Sequence, residues 1–120
     1  TTIAAQMTAS LNSSIGLAAW GGVGQGTKVP TLLLCGDSDT VAACNMSSSV
    51  YGGIPDATPK MQVTIPGATH FNWFSPGDTR DQMSGKYALA FQKVYLEGDT
   101  RWKALLATKL SGAMIETNIK

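Results

Sequence analysis

The run Val29-Pro30-Thr31-Leu32-Leu33-Leu34-Cys35 constrains this chain more than any other feature. It is apolar without alternation and flanked by turn signals, the pattern of a strand buried on both faces of a parallel sheet. Pro30 falls among its first residues, where a missing N–H is tolerated. Such a strand needs neighbours at its sides and layers above and below. Ile15-Gly16-Leu17-Ala18-Ala19-Trp20 reads as a second short buried strand, and Met61-Gln62-Val63-Thr64-Ile65 alternates as a third, closed by Pro66-Gly67. Ile3, Ala4 and Met7 at helical spacing predict a helix over 2–10, and another is predicted over 42–51, ended by Gly52-Gly53. Ala88, Phe91 and Tyr95, stepped by three and four, predict an amphipathic helix over 81–97, stopped by Gly98. Thr100 is placed to cap a further turn or two carrying Trp102, Leu105 and Leu106.

Strands joined by long, partly helical crossovers predict an α/β fold with three parallel strands and helices. Three strands form only part of such a sheet. Its edge would be long and apolar, which is unfavourable unless something covers it.

At 120 residues the chain is one domain's worth at most. Nine Lys+Arg against eight Asp+Glu leave a formal charge of +1, which gives no reason to expect nucleic acid or an anionic membrane as partner. No apolar run approaches the roughly 18 residues of a membrane span. Charged residues are only 14%, a proportion common on secreted proteins. The chain opens at Thr1 with neither an initiator Met nor a signal peptide, so a start made by processing or cleavage, or preceded by further sequence, is expected.

Cys35 and Cys44 are not at a metal-binding spacing, and a single His is available to join them. A short-loop disulfide and two buried free thiols both fit. Gly22-Val23-Gly24-Gln25-Gly26 has the glycine density of a phosphate loop but leads into a strand rather than a helix, so a plain flexible loop is the better reading. An N-terminal nucleophile at Thr1 would need a strand immediately after it, where this chain reads helical.

Asp37 and Asp39 follow the buried strand, and His70 follows the next one. Two acids in a turn are usually turn formers, and a lone His is more often structural than catalytic. Their placement favours function, because reactive groups in open α/β sheets sit at the carboxyl ends of strands. An acid followed by a His is also the second half of a Ser…Asp…His triad in chain order.

The stretch Lys28-Val29-Pro30-Thr31-Leu32-Leu33-Leu34-Cys35-Gly36-Asp37-Ser38-Asp39-Thr40-Val41-Ala42 resembles the strand and acid turn of the bacterial cutinases of the polyester-hydrolase (PET hydrolase-like) group, which are α/β-hydrolases. Pro66-Gly67-Ala68-Thr69-His70-Phe71 resembles their histidine loop. Gly85-Lys86-Tyr87-Ala88 through Glu97-Gly98-Asp99-Thr100-Arg101-Trp102 resembles their last long helix and the turn after it. Three motifs in the right order, over about 15–102, are far more specific than any one.

The resemblance implies a doubly wound, mostly parallel α/β-hydrolase sheet of which residues 1–120 form the C-terminal half. It implies Asp39, rather than Asp37, as triad acid and His70 as general base and acid. Trp20, Val41 and Phe71 would line the substrate cleft, with ordinary core packing as the alternative for Trp20 and Phe71. It implies no metal and no organic cofactor. The substrate would be a polyester or small ester, and the location extracellular. Asp99 and Arg101 are expected to form a structural pair or cap.

The departures are equally specific. No Cys follows Cys44 to form the family's C-terminal disulfide, Ala43 replaces a common proline, residues 110–120 do not match, and Phe71-Asn72-Trp73-Phe74 is unusually aromatic. Gly-x-Ser-x-Gly, the nucleophile elbow, occurs nowhere in the sequence. The implied partner is therefore the N-terminal half of the same enzyme, in a second chain or an upstream segment. A full enzyme of this type needs roughly 250 residues. Two other readings compete: a non-catalytic fragment or binding domain of this fold, and a small-ester hydrolase of dienelactone type.

Overall fold

The structure is a computed structural model that describes residues 13–17, 27–72 and 77–120. Its elements are β1 (Ser14–Leu17), β2 (Thr31–Gly36), α1 (Cys44–Gly53), β3 (Lys60–Ile65), α2 (Thr79–Tyr95), a 3-10 turn (Thr100–Trp102), α3 (Lys103–Leu106), a second 3-10 turn (Leu110–Gly112) and β4 (Met114–Thr117). The sheet runs β1-β2-β3-β4. The first three strands are parallel, with Leu32 opposite Ile15 and Met61, and β4 is antiparallel to β3.

The apolar run behaves as its composition demands. Every residue of β2 is buried, and alternate side chains serve opposite layers. Leu32 and Leu34 join Met61, Val63 and Ile65 beneath Tyr87, Phe91 and Val94 of α2. Leu33 faces the other way, onto Val50, Tyr51 and Ile54 at the end of α1. Gln62, paired with Leu33, follows it to that face and donates from Nε2 to Ser48 Oγ on α1 at 3.0 Å. Burying a side chain such as Phe91 or Leu32 contributes about 1.5–3 kcal/mol, so these two layers hold the sheet.

Several boundaries differ from the sequence expectation, each for a local reason. The helix expected over 42–51 begins at Cys44, because Ala43, at φ −62° and ψ 153°, is still extended and stands as its N-cap. The helix expected over 81–97 spans Thr79–Tyr95, since Asp78 caps it by accepting from Arg80 N–H, and Gly98 lies beyond its end at φ 70°. Asp99, not Thr100, caps the short turn that follows, by accepting from Arg101 N–H. The third strand starts one residue early, at Lys60. The first strand is described only as Ser14–Leu17, and the expected helix over 2–10 lies outside the described residues.

The sheet has a fourth strand where three were expected. β4 covers the edge of β3 that the three-strand reading left open, with Val63 opposite Ile115 and Gln62 opposite Glu116. Asn118 stitches the tail down: its Oδ1 accepts from Lys60 N–H at 2.8 Å and its Nδ2 donates to the carbonyls of Asp56 and Thr58. At the other end Tyr87 Oη, fully buried, donates to the Thr108 carbonyl and accepts from Leu110 N–H at 2.9 Å.

Candidate active site

β2 and β3 are adjacent and parallel, so their carboxyl ends open on the same edge of the sheet. The turn after β2 carries Asp39, and the loop after β3 carries His70. The two segments are packed backbone to backbone. A Cβ on Gly36 would lie 2.2 Å from the carbonyl oxygen of Ala68, so only glycine lets the histidine loop come this close. Asp37 N–H donates to the Ile65 carbonyl at 3.3 Å and Ser38 N–H to the Ala68 carbonyl at 3.0 Å. The Asp37 carboxylate returns the contact, accepting from Gly67 N–H at 2.6 Å.

Asp39 is 4% exposed. Its Oδ1 accepts from the N–H groups of Val41 at 2.8 Å and Ala42 at 2.7 Å, and its Oδ2 lies 3.0 Å from His70 Nδ1. Burial alone pushes this carboxyl up, but the hydrogen bonds from Ala42, His70 and Val41 together outweigh it and hold Asp39 below its ordinary value. An ionised carboxylate only accepts, so the proton shared with His70 sits on Nδ1. Nε2 is then the basic nitrogen. The His70 side chain remains 30% exposed while that of Asp39 is fully covered, so the pair presents an imidazole to the surface from a buried anchor. Such a pair can accept a proton at Nε2 and stabilise the resulting imidazolium.

The loop is fixed on its far side too. Asn72 Oδ1 accepts from Thr69 N–H at 2.6 Å, and Asn72 Nδ2 donates to Asp78, the cap of α2. The acid turn is closed by a disulfide between Cys35, on the α1 side of β2, and Cys44, the first residue of α1. Of the other predicted residues, Val41 is 60% and Phe71 72% exposed in this chain. The Phe71 ring meets the His70 ring edge-on at 6.0 Å between centroids. Trp20 lies outside the described residues. Asp99 and Arg101 form an exposed bidentate pair away from this edge, which holds the Asp99 carboxyl at about 2. Among the described residues no group of three His, Cys, Asp or Glu is placed to hold a metal ion, and no helix is long and apolar enough to cross a membrane.

Sequence reasoning passed over Gly36 and Asn72, and weighed Asp37 only as a turn former or rival triad acid, not as the anchor of Gly67 N–H. Gly36 carried a readable signal, since a glycine ending an apolar strand often marks close approach of another backbone. Asp37 and Asn72 carried none, because their partners are backbone N–H groups of a loop that sequence spacing does not bring near.

A mostly parallel sheet layered by helices, with a buried acid and a histidine paired at the ends of adjacent strands, fits the framework of an α/β-hydrolase. The chain belongs to the PET hydrolase-like family, whose sequence profile matches residues 1–118, so residues 110–118, expected from the sequence to depart from the family, fall within it. Cutinase 1 of Thermobifida cellulosilytica is 33% identical over 79 residues, which cover 65% of this chain and 29% of that protein. Bis(hydroxyethyl) terephthalate hydrolase of Streptomyces coelicolor is 31% identical over 106 residues, covering 86% of this chain and 33% of its own length. Cutinase est1 of Thermobifida alba is 35% identical over 79 residues. The chain thus spans about a third or less of the length of these relatives.

Proposed function

We propose that this chain supplies the acid and the base of a serine ester hydrolase of cutinase or polyesterase type. The single observation that carries the reading is the 3.0 Å contact between His70 Nδ1 and the buried Asp39 carboxylate at the ends of adjacent parallel strands. The family membership and the names of its cutinase and terephthalate-ester relatives support it.

The serine comes from a segment outside these residues, the remaining part of the hydrolase. His70 Nε2 removes the proton from its hydroxyl as the oxygen attacks the ester carbonyl. Asp39 holds the imidazolium, and His70 returns the proton to the departing alcohol. Water then attacks the acyl-enzyme carbonyl with His70 again as base, which releases the acid and restores the serine. Val41 and Phe71, both exposed, offer apolar surface to an aliphatic or aromatic acyl group, and the family resemblance assigns Trp20 to the same cleft. The disulfide fits an extracellular, oxidising location.

A fluorophosphonate probe tests the reading on the hydrolase preparation that contains this chain. Labelling of one serine in a Gly-x-Ser-x-Gly peptide, together with hydrolysis of nitrophenyl butyrate and bis(hydroxyethyl) terephthalate, is the expected result. A preparation that takes up no probe and hydrolyses neither ester contradicts it.

A further inference from the structure

The turn Gly36-Asp37-Ser38-Asp39 puts two carboxylates on the histidine loop, and only one of them touches the histidine. Asp37 Oδ1 takes Gly67 N–H at 2.6 Å and is further engaged by Ser38 Oγ at 3.2 Å. Gly67 sits at φ 68°, a left-handed conformation that turns the chain out of β3 toward His70, with the Arg80 guanidinium packed against it. Asn72 grips the same loop at Thr69. His70 therefore hangs on a short span with a side-chain anchor at Gly67 and another at Thr69. The Gly67 anchor comes from the same turn that carries Asp39.

We propose that Asp37 is a positioning residue for His70, setting the imidazole against Asp39 by holding Gly67 N–H. This rests on the assignment of His70 as the base. The physical reason is shared origin. Asp37 and Asp39 are two residues apart in one rigid turn, so any shift of that turn carries the loop backbone and the imidazole's partner together. With the Gly67 anchor lost, the loop keeps the bond from Ser38 N–H to the Ala68 carbonyl but loses its hold one residue earlier, and it shifts relative to Asp39, which stays fixed by Val41 and Ala42. A displacement of about 1 Å at a catalytic base costs up to a hundredfold in rate. The role needs an oxygen acceptor and not a charge, which sets it apart from a long-range electrostatic effect.

The test compares Asp37→Ala, Asp37→Asn and His70→Ala in the active hydrolase, reading kcat, KM and melting temperature on a soluble nitrophenyl ester. Asp37→Ala is expected to lower kcat roughly tenfold to a hundredfold, with KM within about twofold. Asp37→Asn, whose amide oxygen can still accept from Gly67 N–H, is expected to recover most of kcat. Should Asp37→Ala not fold, Asp37→Asn against wild type decides alone: an Asn variant that loses kcat tenfold or more overturns the proposal. So does an Asp37→Ala variant whose kcat stays within twofold, or one in which kcat falls only as far as the folded fraction does. His70→Ala separates the two levels. If it leaves turnover intact, the functional reading itself fails; if it abolishes turnover while Asp37→Ala does not lower it, only the positioning role fails.

Discussion

Gly36 and Ala68 approach so closely that a Cβ on Gly36 would stand 2.2 Å from the Ala68 carbonyl oxygen and 2.8 Å from its Cβ. This contact joins the acid turn to the histidine loop before any side chain is counted. The atoms in the way are mostly backbone, so no rotamer change relieves the clash. Gly36→Ala must push the loop away, breaking the bond from Ser38 N–H to the Ala68 carbonyl. We predict a loss of about 1–3 kcal/mol of stability and a fall in esterase rate larger than that loss explains, measured by denaturant titration and initial rates.

Asp39 makes a pH prediction. Its folded-state value lies below the ordinary 3.8, so the folded protein holds fewer protons on it than the unfolded chain does in acid. Its contribution to stability is complete above the ordinary value. It is lost as the pH falls below that value and through the lowered one. Asp39→Asn should therefore flatten the acid limb of stability against pH. It should also cut kcat by about 10³–10⁴, because an amide can donate to Nδ1 and favour the wrong tautomer. Asp99 titrates on the same limb, at about 2 through Arg101, and Asp99→Asn should alter that limb without changing kcat. Melting temperatures between pH 2 and 6 for the two variants separate these contributions.

The disulfide between Cys35 and Cys44 closes a short loop around Asp39. Replacing both residues by Ala should cost about 2–3 kcal/mol, from restored freedom of the unfolded chain. The esterase rate should fall as well, since the loop's α1 end is no longer tied to β2. Thermal unfolding and initial rates of the double variant check both effects.

Tyr87 Oη bridges the Thr108 carbonyl and Leu110 N–H, just ahead of β4. Tyr87→Phe removes the bridge and leaves Leu110 N–H and the Thr108 carbonyl only their own bond at 3.1 Å. The expected cost is about 0.5–1.5 kcal/mol, with kcat unchanged, because the bridge is remote from the Asp39–His70 pair. Loosening of β4 also bares the β3 edge, so the variant should aggregate earlier on heating, which light scattering during a thermal ramp would show.

β2, β3 and α2 were legible because burial writes itself into apolar runs and three-four spacing. The parallel order followed from the length of the connections. β4 was not legible: it has four residues, its side chains are largely exposed, and its pairing with β3 spans half the chain. A strand on a sheet's edge needs neither an apolar run nor a strict alternation. At the site, Asp39 and His70 were legible through their place after strands and through the family resemblance. Of the links that hold the two loops together, Gly36 on Ala68 left a trace in the glycine itself, whereas Asp37 on Gly67 and Asn72 on Thr69 are contacts to backbone N–H groups that leave no mark in a sequence.

We propose His70, oriented by Asp39, as the base of an ester hydrolase. The most direct measurement of that role is kcat/KM for nitrophenyl butyrate with wild type and His70→Ala, in the hydrolase containing this chain and at matched folded fraction. A loss of about 10³-fold or more is expected if His70 is that base. A His70→Ala variant that keeps kcat/KM within tenfold of wild type would contradict it.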